Sequence, residues 1–383
     1  VLSVDVVNKV GQIAECRITL VDGNPATQEF PLTDDTKLAP GAEIRVKAHH
    51  GDDEALEIFS GLVIGLRTRI SGDASSTLEL ECRSKAAKLH QVRTSALYTE
   101  QKDSDIISKI ANDAGLSPKV TATTANQAQI LRSDCTDWEY IKLLAERNGL
   151  LLYCDGNDLC AKAPDLTAGS VLNVTFGTDI YEVDLEISAQ RAFCEAKFQS
   201  WGIKDQSAQE ADSKAFKGPE WGNLTIKKLA NVLMAGTPKG PVFATPADLA
   251  ADLLQTYSSA VVQGTELGRI VGSVRFVGSV LVKPNTSIDL AGLSERMNGK
   301  AFVTGVEHKL EDGAWMTTAH LGDVPQSEGF GTRRPPVVAA GVTTPIHGLQ
   351  VGNVAKLDED PDGLARIKIT LPMVAGAEDD GIW

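Results

Sequence analysis

The acidic stretch LDEDPDG, residues 357–363, holds the side chains best suited to gripping an ion. Asp358, Asp360, Asp362 and Gly363 match the opening of a calcium loop, where carboxylates at alternate positions converge on a hard cation and glycine makes the sharp turn. Such a loop needs a bidentate glutamate at its twelfth position; here that residue is Ile369, and Pro361 sits inside the loop. The following LARIKITL alternates Ile367, Ile369 and Leu371, which is the period of a strand. A tight acidic turn between two strands is therefore expected.

The histidines are His49, His50, His90, His308, His320 and His347, and none has a partner at metal-ligand spacing. Cys154 and Cys160 stand too far apart for a zinc knuckle. His308 and His320 fall on neighbouring predicted strands, in positions to face each other, but a lone histidine on a strand reads as structural. No nucleophile elbow, phosphate loop or dinucleotide fingerprint stands in a suitable context. With 51 Asp and Glu, any carboxylate dyad would be an arbitrary choice, and 5% aromatic content is low for a surface that stacks sugars or bases. No catalytic residue, cofactor-binding residue or metal ligand is assigned, and no cofactor is expected.

The elements that would have to position any site come from a chain of 383 residues, long enough for two or three domains. A formal charge of -14 and the lack of a basic run argue against a nucleic-acid partner. No apolar run reaches the ~18 residues of a membrane helix, so no stable membrane anchor is expected. The opening VLSVDVVNKVGQ lacks the basic-then-apolar order of a signal peptide. Six scattered cysteines fit reduced, buried thiols of a cytoplasmic protein better than a disulfide framework.

Residues 1–95 alternate in strand period, as in AECRITLVDG, EIRVKA, GLVIGLRTRI and TLELEC. This predicts a barrel or sandwich. Over 96–168 the period turns helical: DSDIISKIANDAGL places Ile106, Ile107 and Ile110 on one face, and DWEYIKLLAERNGL has Asp137 as the expected N-cap and Gly149 as its stop. Strands return from about 170. The polar stretch 203–220 reads as an exposed loop, 249–262 as a helix with Gly264 just after it, and 325–345 as a Pro/Gly/Thr-rich linker.

An internal repeat runs beneath this pattern. LAPGAEIRVKA (38–48) resembles LVKPNTSIDLA (281–291), aligning Pro40 with Pro284, Ile44 with Ile288 and Val46 with Leu290. GLRTRISGDA (65–74) likewise resembles GVEHKLEDGA (305–314). Two copies of one β module are expected, the second interrupted by its own helical insertion.

The segment SDCTDWEYIKLLAERNGL (133–150) resembles the S-D-x-x-x-[FW]-[IL]-x-x-L-A-E-x-x-G stretch of the VgrG and phage tail hub family. GLVIGLRTRISG with LELECRSKAAKLHQ resembles the end of that family's first barrel. KAFVTGVEHKLEDGAWMTTAHLG resembles the closing strands of its second, including the His308 and Trp315 positions, and HGLQVGNVAKLDEDPDGLARIKITLP its OB-fold start. The resemblance implies a mainly β chain with α+β insertions: a first hub β-barrel over 1–95, an α+β insertion over 96–168, and a second hub barrel from 169–205 with 264–324. A loop-and-helix insertion over 206–263, a linker over 325–345 and the first strands of an OB-fold spike domain over 346–383 complete it. The chain would end inside that OB-fold, before any β-helical spike or effector domain.

The function so implied is structural. A homotrimer would join a hexameric inner tube protein to a three-fold puncturing spike, with baseplate proteins and a spike-tip protein as further partners. It would assemble in the bacterial cytoplasm and then sit in the baseplate of a phage tail-like particle or secretion machine. A secreted effector or carbohydrate-binding module, or a hydrolase on the same scaffold, are the competing readings. Mechanical work asks for no catalytic group, in keeping with the residues.

Overall fold

The period-2 alternation of the N-terminal region becomes five strands in the computed structural model, which describes residues 1–72, 76–204, 206–234, 240–245, 247–322, 324, 351–371 and 381–383. They are β1 (Ser3–Lys9), β2 (Glu15–Val21), β3 (Glu43–Ala48), β4 (Leu56–Ile70) and β5 (Ser76–Arg83), antiparallel in the order β1-β2-β5-β4-β3. Val6, Cys16, Val63, Leu78, Leu80 and Cys82 point inward and are buried. Burying side chains of this size is worth about 1.5–3 kcal/mol each for the larger aliphatics, which fixes the register of the alternation.

The helical-period segment follows as β6 (Arg93–Lys102), α1 (Asp103–Asp113), β7 (Ser117–Val120), β8 (Asn126–Thr136), α2 (Asp137–Arg147), β9 (Leu151–Asp155) and β10 (Asp158–Lys162). β6 pairs with β8, and β7-β10-β9 form a small sheet. Ile106, Ile107 and Ile110 bury the inner face of α1. The N-cap of α2 is Thr136 and not Asp137. The Thr136 hydroxyl accepts from the Glu139 amide, and the Glu139 carboxylate accepts from the Thr136 amide. Asp137 opens the helix and pairs instead with Arg132. Gly149, with φ of 68°, takes the left-handed turn that ends α2.

The second module opens with β11 (Leu172–Thr175) and β12 (Glu182–Ile187). An insertion follows: β13 (Lys197–Gly202), β14 (Ser207–Asp212), α3 (Ile226–Met234), β15 (Val242–Ala244) and α4 (Ala251–Leu267). β16 (Ile270–Val277), β17 (Ser287–Ala291), β18 (Gly299–Glu311) and β19 (Ala314–Leu321) then resume, giving the order β12-β16-β19-β18, with β17 on β18 and β11 parallel to β17.

Three details differ from the sequence expectations. The polar stretch 203–220 contains β14, a strand whose half-buried positions are Gln209 and Ala211, so no apolar alternation announces it. β13 lies within the span 169–205 but pairs with β14 and β15 rather than with β12, because Phe198 stacks on Phe243 and meets Tyr257 of α4 edge-on. α4 runs through Gly264 and ends at Gly268. Burial of Val261, Val262 and Leu267 outweighs the ~1 kcal/mol penalty of a helical glycine.

β20 (Asn353–Lys356) and β21 (Lys368–Thr370) form an antiparallel pair near Leu371, which packs on Leu97 and Leu131. The expected linker 325–345 and His347 lie outside the described residues.

The two modules are not separate sheets. β1 pairs with the later half of β18, from Ser3 opposite Glu311 to Lys9 opposite Gly305, so one sheet of 11 strands runs through both.

Candidate functional site

Among the described residues the most distinctive arrangement is the doubled sheet. Directly opposed residues form a row across each module. In the first the row is Val6, Cys16, Cys82, Val63, and in the second it is Leu185, Gly272, Leu321, Val303. Each row ends at a β-bulge, at Ile64 before Gly65 in β4 and at Thr304 before Gly305 in β18. A bulge is a specific feature that bends and re-aims a strand, so its recurrence at the aligned position marks true duplication. The pairings Ile44 with Gly61 and Ile288 with Ala301 keep the sequence alignment in register as well.

The seam between modules is tied by side chains of both. His50 stacks on Trp315 at 4.7 Å between ring centroids, and its Nε2 lies 2.8 Å from the Gly278 carbonyl oxygen. A Cβ at Gly278 would fall 2.1 Å from the indole, so only glycine admits this approach. His308 packs on the same indole at 5.9 Å, and its Nδ1 lies 2.9 Å from the Thr317 hydroxyl. Burial pushes the His308 imidazole down to about 4, so it is neutral near pH 7.

His320 does not meet His308. Strand alternation sends it to the opposite face, where its Nε2 lies 2.8 Å from Glu307, which Lys9 of β1 also holds at 2.6 Å. Hydrogen bonding from His320, then from Lys9, lowers the Glu307 carboxyl to about 2. A cavity of about 280 Å³ lies beside the seam, lined by Glu57, Ser60, Ser84, Cys154 and His308 among others. These groups do not form a nucleophile, base and orienting partner.

The remaining candidates are also committed to structure. Asp360 in the acidic turn accepts from the Asp362, Leu364 and Arg366 amides and from the Arg366 guanidinium at 2.7 Å, so an internal cation fills the turn. These bonds hold its carboxyl well below the usual range. Among the described residues no three His, Cys, Asp or Glu side chains converge to hold a metal. All six cysteines are free and all but half-buried Cys194 are buried. Burial raises the Cys82 thiol to about 11, so it is a poor nucleophile near neutrality. No helix among the described residues is long and apolar enough to cross a membrane.

Sequence reasoning missed the buried pair Asp103–Arg147. Arg147 Nε donates to Asp103 at 2.8 Å, Gln127 and Asn148 complete the carboxylate's bonds, and the guanidinium lies 5.8 Å from the Tyr257 ring. The pair fastens α2 to α1 and, through Tyr257, to α4 of the second insertion. An arginine in the inward half of an amphipathic helix was the available signal.

This sheet, with its doubled module and two insertions, has the fold of solved phage tail and type VI secretion proteins. An Escherichia coli protein, c3393, described as a type VI secretion system component structurally similar to T4 tail proteins gp27 and gp5, aligns with a TM-score of 0.60 at 12% identity, over 100% of this chain and 89% of that one. The 43 kDa tail protein of prophage MuSo2 from Shewanella oneidensis aligns with a TM-score of 0.59 at 12% identity, over 84% and 95% of the two chains. A tail protein from Neisseria meningitidis gives 0.58 at 14% identity, over 86% and 93%. No curated protein matches by sequence. Residues 1–312 match the family described as the Alg8 N-terminal domain, and the chain belongs to that family.

Proposed function

We propose that this protein is the structural hub of a contractile injection machine, working as a homotrimer that joins a hexameric inner tube to a three-fold spike. The observation that carries this reading is the duplication inside one continuous sheet. Two equivalent modules in each of three chains offer six similar surfaces to a six-fold partner while keeping three-fold symmetry for the spike. The domain division follows the sheet. The first barrel is β1–β5, the second is β11 and β12 with β16–β19, and the insertions are 96–168 and the stretch from β13 through α4. Residues from 346 onward begin the spike's OB-fold.

On this reading baseplate proteins and a spike-tip protein are further partners, assembly takes place in the bacterial cytoplasm, and the finished place is the baseplate. The role is mechanical, and rigidity rather than catalysis is what the buried seam supplies. Mass photometry of the purified full chain tests the proposal. A species of three times the subunit mass is expected, capped in electron micrographs by co-expressed hexameric tube protein. A well-folded protein that stays monomeric at tens of micromolar and ignores the tube would overturn it.

A further inference from the structure

The two modules differ on the outer side of β3 and its counterpart β17. The Gly41 amide donates to the Val63 carbonyl and the Val63 amide to the Ala42 carbonyl, and Asn285 and Thr286 bond Val303 in the same way, so the two strands are in phase. Beyond β17 lies β11, parallel to it, with Leu172 opposite Ile288 and Val174 opposite Leu290. The Phe176 amide, in step with Leu172 and Val174, donates to the Ala291 carbonyl at 2.9 Å. The same side of β3 holds no strand among the described residues, and no backbone hydrogen bond reaches β3 there from any element but β4.

We propose that the outer edge of β3 binds a short extended segment of another protein as a parallel strand, with apolar side chains opposite Ile44 and Val46 and acidic side chains opposite Arg45 and Lys47. The segment takes the place that β11 takes in the second module. Main-chain hydrogen bonds supply the affinity, and the alternating side chains supply the selectivity. β11 pairs with β17 and with no further strand among the described residues, so the slot fits a lone strand rather than the edge of another sheet. The inference goes beyond the hub reading and does not depend on the trimer.

Three observations favour it. The edge is unpaired, and an unpaired edge strand is a template for another strand. Burial is missing where the second module has it: Ile288 and Leu290 beside β11 are 0% and 2% exposed, whereas their counterparts Ile44 and Val46 are only half-buried. The charge on the edge is also unspent. Arg45 and Lys47 are exposed and form no ion pair among the described residues, while neighbouring Glu43 is already held by Lys85 at 2.6 Å. In a chain of formal charge -14, two free cations on one open strand select an acidic partner. Edge cations can instead serve to repel strands, and that alternative predicts that no strand binds.

The test uses the full chain and a blocked, fluorescently labelled peptide, Thr-Val-Glu-Val-Glu-Val-Thr, read by anisotropy. Binding should saturate below about 1 mM. Arg45→Glu with Lys47→Glu should weaken it at least tenfold, roughly, and should admit the matching peptide with Lys in place of Glu. That gain, with a circular dichroism melt matching the parent's, excludes misfolding as the cause. Backbone pairing is read separately by N-methylation. Methylating the peptide's valine amides, which face the edge as the Leu172 and Val174 amides face β17, should abolish binding, while methylating its glutamate amides should leave it within about threefold. Mass photometry with the peptide present should show an unchanged oligomer; a fall in mass would put a second copy on this edge and overturn the proposal. A peptide that does not bind, that binds equally after the charge reversal, or that ignores the position of the methyl groups overturns it as well, and each of these leaves the hub reading standing.

Discussion

After their shared bulge, β18 and β4 carry the same pattern into different surroundings. Val306 and His308 are buried, while their equivalents Leu66 and Thr68 are half-buried and exposed; Leu310 is half-buried and Ile70 is exposed. Topology and register are identical, so the difference arises from the neighbour: β1 covers one strand and nothing described covers the other. A duplicated module can thus hold one fold while its edges differ, one joined within the chain and one without a strand partner among the described residues. Burial at equivalent positions separates the two roles.

The strongest way to break that comparison is to remove the bulge residue from each copy. Deleting Thr304, which is 2% exposed, slips half of a strand covered on both sides and turns its apolar set away from the core. The expected loss is more than about 4 kcal/mol in urea unfolding. Deleting Ile64, which is 42% exposed, lets the open half of β4 take up the slip and should cost about 1–3 kcal/mol. Equal losses would mean that the covering strand does not decide the cost.

Much of this was legible in the residues. The alignment of Ile44 with Ile288 and of Gly65 with Gly305 has the register that the sheets adopt, because each strand's alternation and its Pro and Gly turns recur together. What could not be read was tertiary. β14 has no apolar alternation of its own, and β13 left the barrel because Phe198 found Phe243 and Tyr257 across it. The joining of β1 to β18 is a contact about 300 residues apart, which no local pattern announces.

A smaller effect sharpens the comparison through pH. His308 is buried in the covered copy, and its equivalent Thr68 does not titrate. An unfolded histidine binds its proton near 6.5, while the buried one is pushed down to about 4. Between those values the unfolded chain holds more protons. The contribution is therefore complete above pH 6.5 and is lost as pH falls toward 4, reaching about 3 kcal/mol at most. His308→Gln should flatten the stability profile in this window, as measured by unfolding from pH 7 to 4. Glu307, lowered from its ordinary range to about 2, enters only at the acid end of this window, and because it is present in both proteins it cancels from their comparison. An unchanged slope would show that the imidazole takes up its proton as readily in the folded protein as in the unfolded chain.

The finest test compares Val6→Ala with Leu185→Ala, two substitutions at one position of the duplicated module. Val6 is 1% exposed beneath the internal seam, and removing two methyl groups there should cost about 2 kcal/mol. Leu185 is half-buried on the open edge, so at dilutions where the chain is monomeric its loss should be under about 1 kcal/mol. On the trimeric reading the two should converge above the assembly concentration if a second protomer covers β12 as β18 covers Val6. Chemical unfolding at both concentrations reads this directly. A Leu185→Ala penalty independent of protein concentration would mean that the open edge stays open, and that the two copies differ by design in fold rather than by the absence of a neighbour.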